Sequence, residues 1–253
     1  RRDLVSIIET LRDQPGLNKI ALSTNGHDLH RNISRYRSAG LSHLNVSLDD
    51  VDTREFQKIR GRDAGQQVLD GIDAAFDAGF PWVKVNTVLM KDGFDERLDR
   101  FFEWIRTRPV SVRFIELMQT AGREDFHLRH HLSSNKVHGT LIRHGWVPQK
   151  RDADAGPAVE YSHPDSIGRM GLIAPYAPGF CDTCNRLRVS SLGRLQLCLF
   201  GTGHASLRDL LQKDEDCALL QERVAQALRQ KSASHFLHDK DSGENRGFSS
   251  IGG

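Results

Sequence analysis

Residues 82–89 read WVKVNTVL, and their alternation decides the fold. In an extended segment Lys84 and Asn86 fall on one face, and Val83 and Val85 on the other. A strand packed by helices on both sides of a parallel sheet is normally apolar on both faces. A polar face therefore needs another use. The pattern recurs on either side of this stretch. Residues 44–48 read LNVSL, with Asn45 and Ser47 on one face, Asp49 beyond them, and Val46 and Leu48 on the other. Residues 112–117 read VRFIEL, with Arg113 set among apolar residues, and residues 19–23 (KIALS) form a shorter strand ending in the turn signal Thr24-Asn25-Gly26.

Helical spacing fills the intervals. Asp28 to Ala39 stops at Gly40, Gln66 to Ala78 stops at Gly79, and Glu96 to Arg106 comes after the 82–89 strand. Strand–helix alternation with short glycine-marked loops predicts parallel βα units. A recurring polar face predicts a barrel interior around a ligand cavity, with its site at the C-terminal strand ends. Ser23, Thr24, Asp49, Thr87, Glu116 and Met118 fall at or just past those ends.

From residue 121 the chain changes character. Residues 121–156 are rich in His and Arg, with a helix expected at Asn135 to His144 and an exposed loop at 150–156. Short strands are expected at Val159 to Tyr161 and Arg169 to Ile173, and helices at Leu207 to Lys213 and Ala218 to Arg229, before a polar tail over 231–253.

Composition narrows the function classes. With 253 residues the chain is long enough to bury a core without disulfide support. Lys and Arg total 35 against 33 Asp and Glu, a net charge of +2, which argues against a general nucleic-acid or polybasic membrane binder. Anion binding must then come from a few placed cations. No apolar run reaches the roughly 18 residues of a membrane span, and no signal-peptide pattern is visible.

The 4 cysteines read as thiols or metal ligands rather than disulfides. Residues 179–201 read GFCDTCNRLRVSSLGRLQLCLFG: Cys181 and Cys184 form a C-x2-C pair, and Cys198 comes after 13 intervening residues. Leu187, Val189, Leu195 and Leu197 alternate with polar residues around a turn at Leu192-Gly193, which predicts a β-hairpin that returns Cys198 to the first pair. Three converging thiolates suit an iron–sulfur cluster with one open iron. They also suit a zinc site if Cys217 or His204 completes it, and three buried thiols without metal remain a third reading. Cys217, among apolar helix neighbours, reads as a core residue. Arg186 and Arg188 point to one side of the strand and would bind a phosphate or a purine edge; two solvated arginines are the alternative.

These residues carry a specific resemblance. CDTCNRLRVSSLGRLQLCLFG is similar to the C-terminal cluster motif of the molybdenum cofactor biosynthesis protein A family, the radical SAM GTP 3′,8-cyclases. LSTNG at 22–26, LNVSLDD at 44–50, VKVNTVLM at 83–90, VRFIELM at 112–118 and the terminal Gly252-Gly253 agree with it, over essentially the whole chain. The resemblance implies an incomplete (β/α) barrel over 1–120 and a C-terminal α+β extension over 121–253 carrying a cluster and a Gly-Gly tail that reaches the active site. It implies two [4Fe-4S] clusters, each on three Cys. The first cleaves S-adenosylmethionine to a 5′-deoxyadenosyl radical, which takes hydrogen from C3′ of GTP. The C3′ radical then attacks C8, giving 3′,8-cyclo-7,8-dihydro-GTP. By the same resemblance Cys181, Cys184 and Cys198 are ligands of the second cluster, and Ser47 and Met118 lie near S-adenosylmethionine. Ser23, Lys84, Arg186 and Arg188 contact GTP, with Arg113 a further candidate. Arg186 and Arg188 are the catalytic pair. Ser23 stands where the family has Thr, keeping the hydroxyl.

The implied partners are GTP, an electron donor and a downstream cyclic pyranopterin monophosphate synthase in the cytoplasm, with no membrane or nucleic acid and a homodimer left open. The family's C-x3-C-x2-C motif and its Gly-Glu-Pro segment do not occur in this sequence. Arg1-Arg2-Asp3-Leu4 resembles the family's sequence just after that segment, so the expectation is a chain lacking its N-terminal barrel units. Two other readings stand beside the cyclase. One is another metal-dependent barrel enzyme, either a radical SAM enzyme with an auxiliary cluster or a zinc enzyme using Asp49 and Glu116. The other is a cluster- or zinc-binding interaction module.

Overall fold

Alternation of buried and half-buried residues along three neighbouring strands organises the sheet of the computed structural model, which describes residues 2–151, 155–182, 184–200, 204–235 and residue 237. In chain order the elements begin α1 (Leu4–Arg12), β1 (Ala21–Thr24), α2 (Leu29–Ala39), β2 (His43–Ser47), α3 (Thr53–Arg60), α4 (Gly65–Asp77), β3 (Val83–Leu89), α5 (Phe94–Ile105) and β4 (Val110–Glu116). They continue with α6 (Glu124–His130), α7 (Ser134–Arg143), β5 (Val147–Pro148), β6 (Val159–Ser162), β7 (Arg169–Ile173), β8 (Arg188–Val189), β9 (Arg194–Gln196), β10 (His204–Ser206) and α8 (Cys217–Arg229). The described residues form two compact units, one from 1–116 with 132–173 and one from 117–131 with 174–253.

The first unit is α/β. Its seven-stranded sheet runs β1-β2-β3-β4-β7-β6-β5. The β1 to β4 and β4–β7 pairings are parallel, whereas β6 is antiparallel to both β7 and β5. The core forms where the apolar strand faces meet helix faces. Val46, Val83, Val85, Val112 and Phe114 are all fully buried, as are Ile33 of α2, Ile72 of α4 and Phe101 of α5. Phe114 takes Phe94 and Phe101 edge-on, with centroids 5.9 and 5.8 Å away, the geometry the ring quadrupole favours.

The expected strands and helices of residues 19–117 are present, with ends displaced by a few residues. Three described helices have no counterpart among the expectations: α1, α6, and α3, which the Asp52 carboxylate caps by accepting the N–H groups of Arg54 and Glu55.

The second unit holds α6, the three-stranded sheet β10-β9-β8 and α8. The expected hairpin is there, with Arg188 opposite Gln196 and Val189 opposite Leu195. Its turn closes through Ser190 and Arg194, with Gly193 at φ +70°, a conformation that favours glycine. Leu195, Leu197, Leu207 and Ala227 of α8 make a small core.

Two expectations need correction. The segment expected as a helix at Leu207 to Lys213 is a single 3-10 turn, Arg208–Leu211. The Leu207 N–H is held by Gly193 and the Asp209 carboxylate by Arg223, which pins the segment before a longer helix can propagate. Cys217 is exposed at the start of α8 rather than part of the core. The Gly252-Gly253 tail and residues 152–154 lie outside the described residues. No helix among the described residues is long and apolar enough to cross a membrane.

Candidate functional site

In the first unit, strand register assembles two polar rows on one face of the sheet. Ser23, Asn45, Lys84, Ser111 and Arg169 stand side by side across β1, β2, β3, β4 and β7. Two residues toward the C-terminal ends, Ser47, Asn86, Arg113, Gly171 and Glu160 do the same across β2, β3, β4, β7 and β6. Ser23, Ser47, Lys84 and Arg113 therefore share one face, as the alternation predicts. The Asn45 amide donates to the Ser23 hydroxyl at 3.4 Å. Asn86 Oδ1 is buried between Ser47 and Arg113 and accepts no hydrogen bond among the described residues.

Arg113 is engaged. Its Nε and Nη2 donate to Glu160 Oε1 at 2.9 and 2.7 Å, and the Ser111 hydroxyl donates to Glu160 Oε2. Gly171 makes this possible. It lies between the two in register, and a Cβ there would come within 2.8 Å of Arg113 Cγ. The Glu160 carboxylate offsets the charge of Arg113, so an anion would meet a compensated guanidinium there.

The acidic pair at the end of β2 has structural work. Asp49 Oδ1 accepts the Val88 N–H at 3.1 Å, and its carboxylate pairs with Arg60. Asp50 is 1% exposed and accepts Arg100 Nε at 2.9 Å and Nη2 at 2.5 Å, with Arg97 Nε at 3.8 Å. Burial lowers the Arg97 pKa, opposed by the charges of Asp50 and Asp49. These bonds tie α3 and α5 to the strand ends. Beside them Ser47 opens onto a cleft of about 630 Å³ that Asn25, His27, Arg62 and Gln67 also line.

In the second unit the cysteine segment is a turn leading into the hairpin. The Cys184 N–H donates to the Cys181 carbonyl at 3.0 Å. Cys181, Cys184 and Cys198 are free thiols, all half-buried. Arg188, four residues past Cys184, stands opposite Gln196, two residues before Cys198, so the hairpin turns its far end back toward the pair. The donor chemistry suits an iron–sulfur cluster: three reduced thiols and no competing disulfide. They stand open rather than drawn onto one point, since no group of three or more His, Cys, Asp or Glu among the described residues is gathered as a metal site.

The neighbouring charges are cationic. The Cys184 thiol lies below its ordinary pKa: burial alone would raise it, but the Arg186 N–H and guanidinium and the Lys231 ammonium outweigh burial. Arg188 is lowered, first by burial and then by repulsion from Arg186, against the pull of the two thiols. On β8 and the two residues before it, exposure inverts the usual order. Leu187 and Val189 are 39% and 57% exposed, whereas Arg186 and Arg188 are half-buried. The Arg186 guanidinium lies 5.7 Å from the Phe180 ring centroid.

Met118, also in this unit, is half-buried between two anchored neighbours. The Leu117 carbonyl lies 3.1 Å from His127 Nε2, and the Gln119 N–H donates to the Tyr176 hydroxyl at 3.0 Å. Sequence reasoning missed Tyr176, His127, Lys231 and Gln196. Gln196, beside Arg188, has a buried Oε1 that accepts no hydrogen bond among the described residues. The strand pairing of Gln196 was the one available signal; the others act through single long-range bonds that leave no periodic trace.

Comparison with known proteins defines the class first. Residues 1–105 match the model of the Radical SAM superfamily, and residues 110–237 match that of Molybdenum Cofactor Synthesis C. The chain is 51% identical to a GTP 3′,8-cyclase of Klebsiella pneumoniae strain 342, over 100% of this chain and 77% of that protein. It is 50% identical, with the same coverage, to the GTP 3′,8-cyclase of a second strain, Klebsiella pneumoniae subsp. pneumoniae. The chain belongs to the GTP 3′,8-cyclase family of radical SAM enzymes in molybdenum cofactor biosynthesis. A [4Fe-4S] cluster and S-adenosylmethionine are the cofactors of that class.

Proposed function

We propose that this chain converts GTP to 3′,8-cyclo-7,8-dihydro-GTP, with S-adenosylmethionine as the radical source. The observation that carries the reading is the pair of half-buried guanidiniums, Arg186 and Arg188, set beside the thiols of Cys184 and Cys198. Two cations held partly out of water and repelling each other need negative charge. A triphosphate supplies it, and the flat guanidinium also suits the edge of guanine.

Each residue then has a task. Lys84 and the Ser23 hydroxyl bind GTP, with Arg113 a weaker contact because Glu160 already holds it. Ser47 and Met118 contact S-adenosylmethionine. Arg186 and Arg188 bind and orient the nucleotide and balance its charge. Cys181, Cys184 and Cys198 hold the second of two [4Fe-4S] clusters. When bound, the first cluster supplies the electron for S-adenosylmethionine cleavage, and the second offers an open iron to the guanine end of the substrate. The sheet unit is read as an incomplete (β/α) barrel over 1–120, leading into a cluster-bearing extension over 121–253. The setting is cytoplasmic, with an electron donor upstream and a cyclic pyranopterin monophosphate synthase downstream.

The test is an anaerobic incubation of the protein, joined to the family's C-x3-C-x2-C segment that this sequence does not contain and reconstituted with iron and sulfide, with S-adenosylmethionine, a reductant and GTP carrying deuterium at C3′. Deuterium should appear in 5′-deoxyadenosine while the cyclised nucleotide accumulates. Cleavage of S-adenosylmethionine with unlabelled 5′-deoxyadenosine and intact GTP would overturn the assignment.

A further inference from the structure

Beyond α8 the chain returns to the cysteine segment. Lys231, two residues past Arg229, places its Nζ 3.1 Å from the Cys184 carbonyl and 3.3 Å from the Arg186 carbonyl, both of which accept from it. The Cys184 sulfur lies 3.9 Å from the same nitrogen. Four residues on, His235 is 7% exposed, and its Nε2 meets the Pro175 carbonyl at 2.8 Å. The His235 ring also packs 6.1 Å from Phe180, the ring over which Arg186 lies. One short stretch, 231–235, therefore touches the cysteine segment before and after the C-x2-C pair.

We propose that Lys231 is a positioning residue for this site. Its ammonium joins the backbone at Cys184 and at Arg186 to the end of α8, fixing one thiol and one guanidinium relative to each other. The proposal rests on the reading of Cys184 as a cluster ligand and Arg186 as a GTP contact. An ammonium suits the task because it offers three N–H donors at one point, and three acceptors converge there. A residue between the two tied carbonyls cannot swing freely, and neither can the side chains on either side. Phe180 holds the Arg186 side chain and Lys231 holds its backbone, so the guanidinium is fixed at both ends. Backbone bonds within the loop itself, such as Cys184 N–H to the Cys181 carbonyl and Asp182 N–H to the Gly179 carbonyl, each span a single turn.

Lys231→Met keeps the stem and removes the donors. In the protein without cluster, amide hydrogen exchange over residues 184–188 should rise about tenfold, the scale of losing a hydrogen bond to a charged donor. Exchange over α8 should stay unchanged. In the reconstituted protein, GTP affinity should fall about tenfold and the electron paramagnetic resonance signal of the cluster should broaden. Lys231→Arg, which retains donors, should fall between wild type and the Met variant. Unchanged exchange at 184–188 overturns the proposal, as does an equal rise throughout α8, which would mark general loosening. Unchanged GTP affinity alongside faster exchange overturns its Arg186 half. The underlying reading fails separately: if the Cys184→Ser variant keeps full iron, Cys184 is not a ligand, whatever the exchange data say of Lys231.

Discussion

The polar face of the large sheet and the cysteine hairpin both gather chemistry-bearing side chains, but by different means. Across β2, β3 and β4, Ser47, Asn86 and Arg113 stand side by side because a ladder of backbone hydrogen bonds sets the register. The buried Asp50–Arg100 and Asp49–Arg60 pairs then brace the strand ends. In the second unit β8 has 2 residues and β9 has 3. There the site residues depend on individual side-chain bonds, such as those of Lys231. A ladder tolerates the loss of one member; a tie made by one ammonium does not. Substitutions of the carboxylates that brace the strand ends should therefore act on stability, and substitutions in the hairpin on ligand binding with little change in folding.

That contrast can be broken in four ways, from the largest effect to the smallest. Cys198→Ser should remove the second cluster entirely while the circular dichroism of the protein stays the same; full iron content would contradict the ligand assignment. Asp50→Ala leaves Arg97 and Arg100 without their carboxylate, and should destabilise the protein by about 3–5 kcal/mol in urea titrations. A loss below about 1 kcal/mol would mean that the brace is not what holds the strand ends. Arg186→Ala or Arg188→Ala should weaken GTP binding by about 1.5–3 kcal/mol by calorimetry, without a matching change in unfolding midpoint. Equal affinity would remove these residues from the site.

The smallest effect concerns pH. The α3 cap carboxylate of Asp52 lies below its ordinary pKa, chiefly through the Glu55 N–H, although burial works the other way. A lowered carboxylate adds stability that is fully present above its unfolded value and is lost as pH falls through the folded one. Melting temperature should therefore drop on acidification below the ordinary carboxylate range, and Asp52→Asn should flatten part of that drop. An identical acid profile in the variant would show that the cap charge has no role.

Legibility in the sequence obeys the same division. LNVSL and WVKVNTVL announced their faces, because a period of two survives in any strand with one buried side. The hairpin was legible from its alternation and from Gly193. The place of β7 beside β4 was not. It depends on a glycine whose missing side chain lets Arg113 reach Glu160, 47 residues away. The cap of α3 was written in Asp52 and Glu55, but its eight residues are too few for a clear period. Cys217 misled because apolar neighbours such as Leu219 suggest a buried face, yet Leu219 is 54% exposed. The polar faces of the strands could be derived from spacing, whereas the ligands assigned to Ser23, Ser47, Lys84 and Arg113 came from the resemblance alone. Tyr176, His127 and Lys231 could not be derived from spacing, because a bond between distant segments leaves no pattern in either one.

The inward arginines and outward Leu187 and Val189 have one more consequence. Holding two guanidiniums partly dry while two aliphatic side chains face water makes the anion-free hairpin an uncomfortable resting state. Any bound anion relieves that discomfort only in the folded form, so occupancy and folding are thermodynamically linked there. The second unit should thus melt at a temperature that climbs with nucleotide concentration, and the hairpin reports its own saturation.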